Sequence, residues 1–106
     1  FFMYFEDVEF SRRIISNGFH LKICNESFIY HKVGKSTGGK FTKFSVYWRT
    51  RNMGVFLHRL NTNLFCRISS YVIFNLKMFF YLIRFGKISL ISVQISGIID
   101  SFKRSG

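Results

Sequence analysis

The chain has 106 residues, a formal net charge of +11, no proline and 15 phenylalanines. That length allows at most one small domain, and the positive excess implies an anionic partner: nucleic acid, a phosphorylated ligand or anionic lipid headgroups. Aromatics make up 20% of the residues and are mostly Phe, which suits a buried core or the headgroup–acyl boundary and argues against a solvated nucleic-acid surface.

The charge is unevenly spread. Phe1 to Glu26 holds four acids against three bases, whereas Asp100 is the sole acid against 13 Lys and Arg from Ser27 onward. A site-like segment begins almost at Phe1, so the expectation is a C-terminal piece of a longer protein.

Asp7 to Asn17 is expected to be a helix. Glu6 and Asp7 place carboxylates at its positive end, and Asn17-Gly18 is a good stop. Phe19–Cys24 and Ser27–Val33, rich in Phe, Ile and Tyr, are expected as short strands around a turn at Asn25-Glu26. Gly34–Lys40 (GKSTGGK) is expected as a loop without an apolar anchor. It resembles a phosphate cradle in composition but fails the Walker spacing, since Lys40 is followed by Phe41.

A second helix is expected over Thr42–Leu60, with Phe44, Tyr47/Trp48, Arg51 and Val55 at helical spacing. Asn61-Thr62-Asn63 interrupts it. Leu64–Phe85 is apolar but carries Arg67, Lys77 and Arg84, and Ser70, Lys77 and Arg84 share a stripe with Arg67 at its edge. The run lacks the roughly 18 uninterrupted apolar residues of a membrane span, so an interfacial basic helix is expected. Gly86 breaks the pattern. In Lys87–Arg104, Ile88, Ile91, Ile95, Ile98/Ile99 and Phe102 form a second apolar stripe. Cys24 and Cys66 lie in apolar surroundings without metal-ligand spacing, and buried free thiols are expected.

Asp7 is the candidate base. A helix N-terminus favours the ionised carboxylate and a neighbouring acid favours proton uptake, a combination suited to general-base work. Composition alone favours the plainer reading, in which Glu6 or Asp7 is a helix N-cap. His31, at the end of a strand-like run, fits either a metal or phosphate contact or an ordinary strand histidine. Lys35 and Ser36 lie in the basic loop and fit a phosphorylated ligand or a plain surface loop. Arg49 and Arg51 point in different directions on one helix, so one of them can reach a diphosphate. His20 and His58 receive no role.

Taken jointly, these residues resemble the C-terminal part of family-2 glycosyltransferases, rhamnosyltransferase-like members especially. The residues carrying the likeness are Phe2-Met3-Tyr4-Phe5-Glu6-Asp7-Val8-Glu9, Arg13, Gly18, Tyr30-His31-Lys32, Gly34, Ser36-Thr37-Gly38, Tyr47-Trp48 and Arg51-Asn52. The resemblance implies an α/β class, with residues 1–60 forming the acceptor-side end of a GT-A domain and residues 61–106 an amphipathic, membrane-associating tail. It implies inverting transfer from a nucleotide-diphosphate sugar to a hydroxyl of a saccharide or lipid-linked acceptor, as in polysaccharide biosynthesis of the cell envelope.

By the same resemblance Asp7 is the base, Glu6 orients the acceptor or Asp7, His31 helps hold a divalent metal (Mg or Mn), and Arg51 contacts the diphosphate. The family's Asp-x-Asp metal motif does not occur in this sequence, so most of the metal site and the donor cradle are expected outside it. An anionic inner-leaflet surface, at the cytoplasmic face of the plasma membrane, is the expected location. The competing reading is a non-catalytic basic amphipathic module that binds membrane surfaces.

Overall fold

The computed structural model describes residues 4–31 and 40–103, and among these the regular elements are all helical, with no strand. Four α-helices follow one another: α1 (Glu6–Ser16), α2 (Lys43–Arg59), α3 (Leu64–Arg84) and α4 (Ile91–Lys103), the last entered through a 3-10 turn at Ile88–Leu90.

The expected α/β class is therefore corrected to all-α. The turn at Asn25-Glu26 does form, with the Ser27 N–H donating to the Cys24 carbonyl at 3.3 Å. The segments around it have no regular secondary structure and do not pair. Their composition is that of a strand, but a lone two-stranded hairpin is marginal in water without a sheet or helix to cover one face. Here nothing described covers them: Ile23 and Tyr30 are each 92% exposed. Lys32, Val33 and the loop through Gly39 lie outside the described residues.

The helix boundaries follow from local chemistry. Gly18, at φ +86°, ends α1 in the left-handed conformation that glycine adopts without a Cβ clash. Phe19 N–H reaches back to the Ile14 carbonyl. At α2, Thr42 and Ser45 form a reciprocal capping box: the Ser45 N–H donates to Thr42 Oγ1 at 3.1 Å and the Thr42 N–H to Ser45 Oγ at 2.9 Å. Asn63 caps α3 by accepting from the Phe65 N–H at 2.9 Å. Gly86, at φ +69°, breaks the chain between α3 and α4.

The core is small. Val46, Met78, Leu82 and Leu90 are buried together, with Phe41, Phe74, Ile91 and Val93 packed around them. α4 folds back chiefly against α2, which joins the tail to the preceding part of the chain. It does so largely through small and polar residues. Gln94, Gly97 and Ser101 are buried, whereas Ile88, Ile95, Ile99 and Phe102 are at least half exposed. The buried residues of α2 are similarly small or polar for the most part, with Ser45, Thr50, Arg51 and Asn52 among them. Small residues let the two backbones come close, and that geometry selected the face.

α3 runs unbroken for 21 residues and is long and apolar enough, by length and composition alone, to cross a membrane. Only Met78 and Leu82 are buried along it. Lys77 and Arg84 are exposed, as the stripe reading expects. Arg67 instead turns to α2, with one guanidinium nitrogen 3.2 Å from His58 Nδ1. Both cysteines are free and exposed, a correction to the expected buried thiols. Cys66 sits on the outer side of α3, and Cys24 sits in the uncovered segment after α1.

Asp100 ties the end of α4 to α2. The Tyr47 hydroxyl donates to its carboxylate at 2.6 Å, and Lys103 Nζ lies 3.3 Å away. The Tyr47 hydrogen bond first, and then Lys103, hold this carboxyl below the usual carboxylate range. A depressed folded-state value contributes stability that is present above the unfolded value and lost as pH falls through the folded one. Urea midpoints are accordingly expected to hold near neutrality and to decline below about pH 4. Asp100→Asn should flatten part of that decline, and an unchanged acid profile in this variant would assign it to other carboxylates.

Candidate functional site

Glu6 and Asp7 open α1, and the two residues before them have an unusual backbone. Tyr4 and Phe5 both adopt positive φ, at 62° and 65°. For residues with a Cβ this costs roughly 1–3 kcal/mol each and persists only where surrounding contacts enforce it. Those contacts are present. The Phe5 ring stacks on Phe56 at 5.7 Å and meets Phe74 edge-on at 6.2 Å. The Arg49 guanidinium lies 5.0 Å over the Tyr4 ring. Asn52 Nδ2 donates to the Tyr4 carbonyl at 3.4 Å.

The turn sets the start of the helix. Phe5 is the N-cap and offers no capping side chain; its carbonyl accepts the Glu9 N–H at 2.9 Å. Glu6 and Asp7 are thus not caps. They occupy the first turn, where acids complement the helix dipole. Asp7 Oδ1 accepts the Val8 N–H at 2.8 Å. Both carboxylates face solvent, so a substrate hydroxyl can approach them.

Asn52 is fully buried and has a second partner, since Arg51 Nη1 donates to its Oδ1 at 2.6 Å. The Arg51 guanidinium also lies 5.2 Å over the Trp48 ring, and Trp48 meets Tyr47 edge-on at 5.2 Å. Tyr47, Trp48, Arg51 and Asn52 therefore form one cluster, and that cluster grips the turn before Glu6-Asp7. Arg51 itself is buried in this scaffold rather than extended toward a ligand. Arg49 is the arginine of the pair that reaches the turn.

The other candidates are placed elsewhere or not described. His31 is exposed, in a segment without regular secondary structure. Lys35 and Ser36 lie outside the described residues. Among the described residues no group of three His, Cys, Asp or Glu side chains converges as a metal site. His31 alone cannot hold a divalent ion.

Sequence reasoning missed Asn52 as the anchor and the left-handed pair Tyr4-Phe5. A signal for Asn52 was its place beside Arg51, because a buried arginine needs an acceptor. Nothing in the residue types Tyr and Phe signals positive φ. No protein-family model, no curated protein and no solved structure matches this chain.

Proposed function

We propose that this chain supplies the acceptor-side part of an inverting glycosyltransferase that works at a membrane surface. The observation supporting it is the hydrogen bond from Asn52 to the Tyr4 carbonyl. It joins two motifs far apart in sequence, Arg51-Asn52 and the aromatic run before Glu6-Asp7, into one rigid support for an exposed carboxylate pair.

Asp7 takes the proton from an acceptor hydroxyl, whose oxygen attacks the anomeric carbon from the face opposite the leaving nucleoside diphosphate. The bond to that diphosphate breaks with inversion, and the proton remains on Asp7. Glu6, one residue earlier, positions the acceptor. A divalent metal, Mg or Mn, would neutralise charge on the diphosphate when bound.

The membrane part is supported by the inverted packing. α2 and α4 bury small and polar side chains while Leu64, Phe65, Val72, Leu76 and Phe80 of α3 stay exposed, beside Lys77 and Arg84. α3 is read as lying in the interface. A crossing would set Lys77, which is well inside the helix, deep in the bilayer, at a cost of roughly 2.5–3.5 kcal/mol. In the plane, its ammonium can reach anionic headgroups.

One experiment separates this reading from a non-catalytic membrane module. In membranes of the cell that makes the protein, Asp7→Asn is expected to lower sugar transfer by about 100-fold or more while donor binding and salt-sensitive attachment to anionic vesicles persist. Near-wild-type transfer by the variant would remove Asp7 as the base. Vesicle binding indifferent to salt would remove the membrane part.

A further inference from the structure

The apolar residues that α3 and α4 leave outside do not scatter over the surface; they meet. At about 100° per residue, Phe65, Val72, Leu76, Phe79 and Ile83 fall on one side of α3, and all five are exposed. Ile95, Ile99 and Phe102 form the corresponding side of α4, each at least half exposed. A groove of about 460 Å³ joins the two sides, walled by Val72, Leu76 and Phe79 from α3 and by Ile91, Ile95 and Ile98 from α4. Among the described residues no charged side chain lines it.

The polar side chains in and beside this face have their hydrogen-bond partners inside the protein. Gln94 Nε2, in the groove lining, donates to the Asn75 carbonyl at 2.9 Å and reaches Asn75 Oδ1 at 3.3 Å. Asn75 Nδ2 donates in turn to the Tyr71 carbonyl at 2.9 Å. On α4 the Ser92 and Ser96 hydroxyls donate back to the Ser89 and Ser92 carbonyls, each at 3.1 Å.

These features restrict what covers the face. A protein partner normally forms about one hydrogen bond per 100–200 Å² of interface, and here the polar groups are already bonded to one another. A hydrocarbon asks for none. A second copy of the chain would also bring a like charge of +11 against itself. Lys77 and Arg84 supply the other half of the surface chemistry. Both are exposed and stand roughly 110–130° around α3 from its apolar side, so their flexible stems can return to a headgroup layer when that side is submerged. We infer that α3 and α4 enter an anionic bilayer together through this joint face, with lipid acyl chains filling the groove between them and Lys77 and Arg84 at headgroup level. The inference rests on the membrane part of the proposed function, which sets only α3 at the surface. It adds α4, a deep side for each helix and an occupant for the groove, and it is independent of sugar transfer.

The test is nitroxide labelling of protein bound to vesicles of phosphatidylcholine and phosphatidylglycerol, read as the ratio of collisions with oxygen to collisions with a water-soluble nickel chelate. Cys24→Ser leaves Cys66 as the only thiol. It is exposed and falls on the Lys77 and Arg84 side of α3, so it marks the shallow side. With Cys66→Ser added, the label moves to Leu76→Cys or Ile95→Cys. Both positions are about half exposed, so the variants should fold. The apolar side of an interfacial helix sits roughly 5–10 Å into the headgroup–acyl boundary, and the ratio is expected to be about fivefold or more higher at Leu76→Cys and Ile95→Cys than at Cys66. Ile95→Ser should weaken vesicle attachment about threefold or more. Ile23→Ser, an equal apolar loss in the exposed segment after α1, should leave it unchanged.

No attachment to anionic vesicles would remove the membrane reading itself, and this inference with it. Attachment with Leu76→Cys deep but Ile95→Cys as open to the chelate as Cys66 would keep that reading and overturn the inference, since α4 would lie outside the bilayer. A Cys66 label as deep as the other two would overturn it as well, because lipid would then surround α3. Equal losses in the Ile95 and Ile23 variants would reduce the face to general apolar adsorption. Shielding of Ile95→Cys from both probes before any vesicle is added would assign the groove to a second copy of the chain and overturn the inference.

Discussion

Gly97→Leu is expected to undock α4 from α2 and to remove the cooperative unfolding transition near neutral pH. Even a single Cβ at position 97 would meet the Tyr47 carbonyl oxygen at 2.9 Å and the Thr50 Cβ at 3.1 Å. The first of these is backbone and cannot rotate away, so the helices must separate. Overpacking typically costs ~1–3 kcal/mol, and the branched Leu side chain falls at or beyond the upper end. The opposing gain from replacing a helical glycine is only about 1 kcal/mol. The clash wins, and in a chain with so few buried apolar residues it removes much of the total stability.

Gly54 gives an internal check on the same interface, since its added Cβ would lie 2.6 Å from Ser101 Cβ. Gly54→Ala should destabilise, and Ser101→Gly in the same chain should restore most of the loss, a coupling measurable by urea midpoints. Ser96→Ala, on the exposed side of α4, serves as the neutral control. A Gly97→Leu midpoint at or above wild type would mean that α4 does not pack on α2 through this face.

The four helices were legible from periodicity and breakers, and their ends fall within a few residues of the expected ones. Which side of each helix turns inward was less legible. In α4 the Ile stripe was expected as an amphipathic, membrane-associating face, and nothing in it pointed to Gln94, Gly97 and Ser101 as the residues that are buried. Periodicity finds an amphipathic stripe but cannot say which stripe meets protein and which meets lipid or water. The strand expectation failed for a related reason. Phe19–Cys24 has strand-forming residues, but β-structure depends on a partner that the described residues do not provide.

Within the site, Glu6-Asp7 at a helix start was readable from charge and position. The support beneath it was not, because it rests on a contact between residues 48 positions apart and on backbone angles that no residue type announces.

Asn52 is where stability and the proposed chemistry meet, and two substitutions there should separate them. Asn52→Leu removes both bonds, leaving the buried Arg51 guanidinium without its 2.6 Å acceptor and the Tyr4 carbonyl without its donor. Losing a hydrogen bond to a charged group costs about 1.5–3 kcal/mol, so a large fall in the urea midpoint is expected together with loss of transfer. Asn52→Asp keeps an acceptor for Arg51 but sets a carboxylate against the Tyr4 carbonyl. The fold should largely hold while the Tyr4-Phe5 turn relaxes from its positive φ. Glu6 and Asp7 then lose their fixed position. Transfer should fall at least tenfold with little change in midpoint, because a carboxylate displaced by even about 1 Å loses much of its catalytic advantage. Full transfer by Asn52→Asp would mean that the bond to Tyr4 does not position the carboxylates and that Arg51-Asn52 is not part of the support beneath Glu6-Asp7.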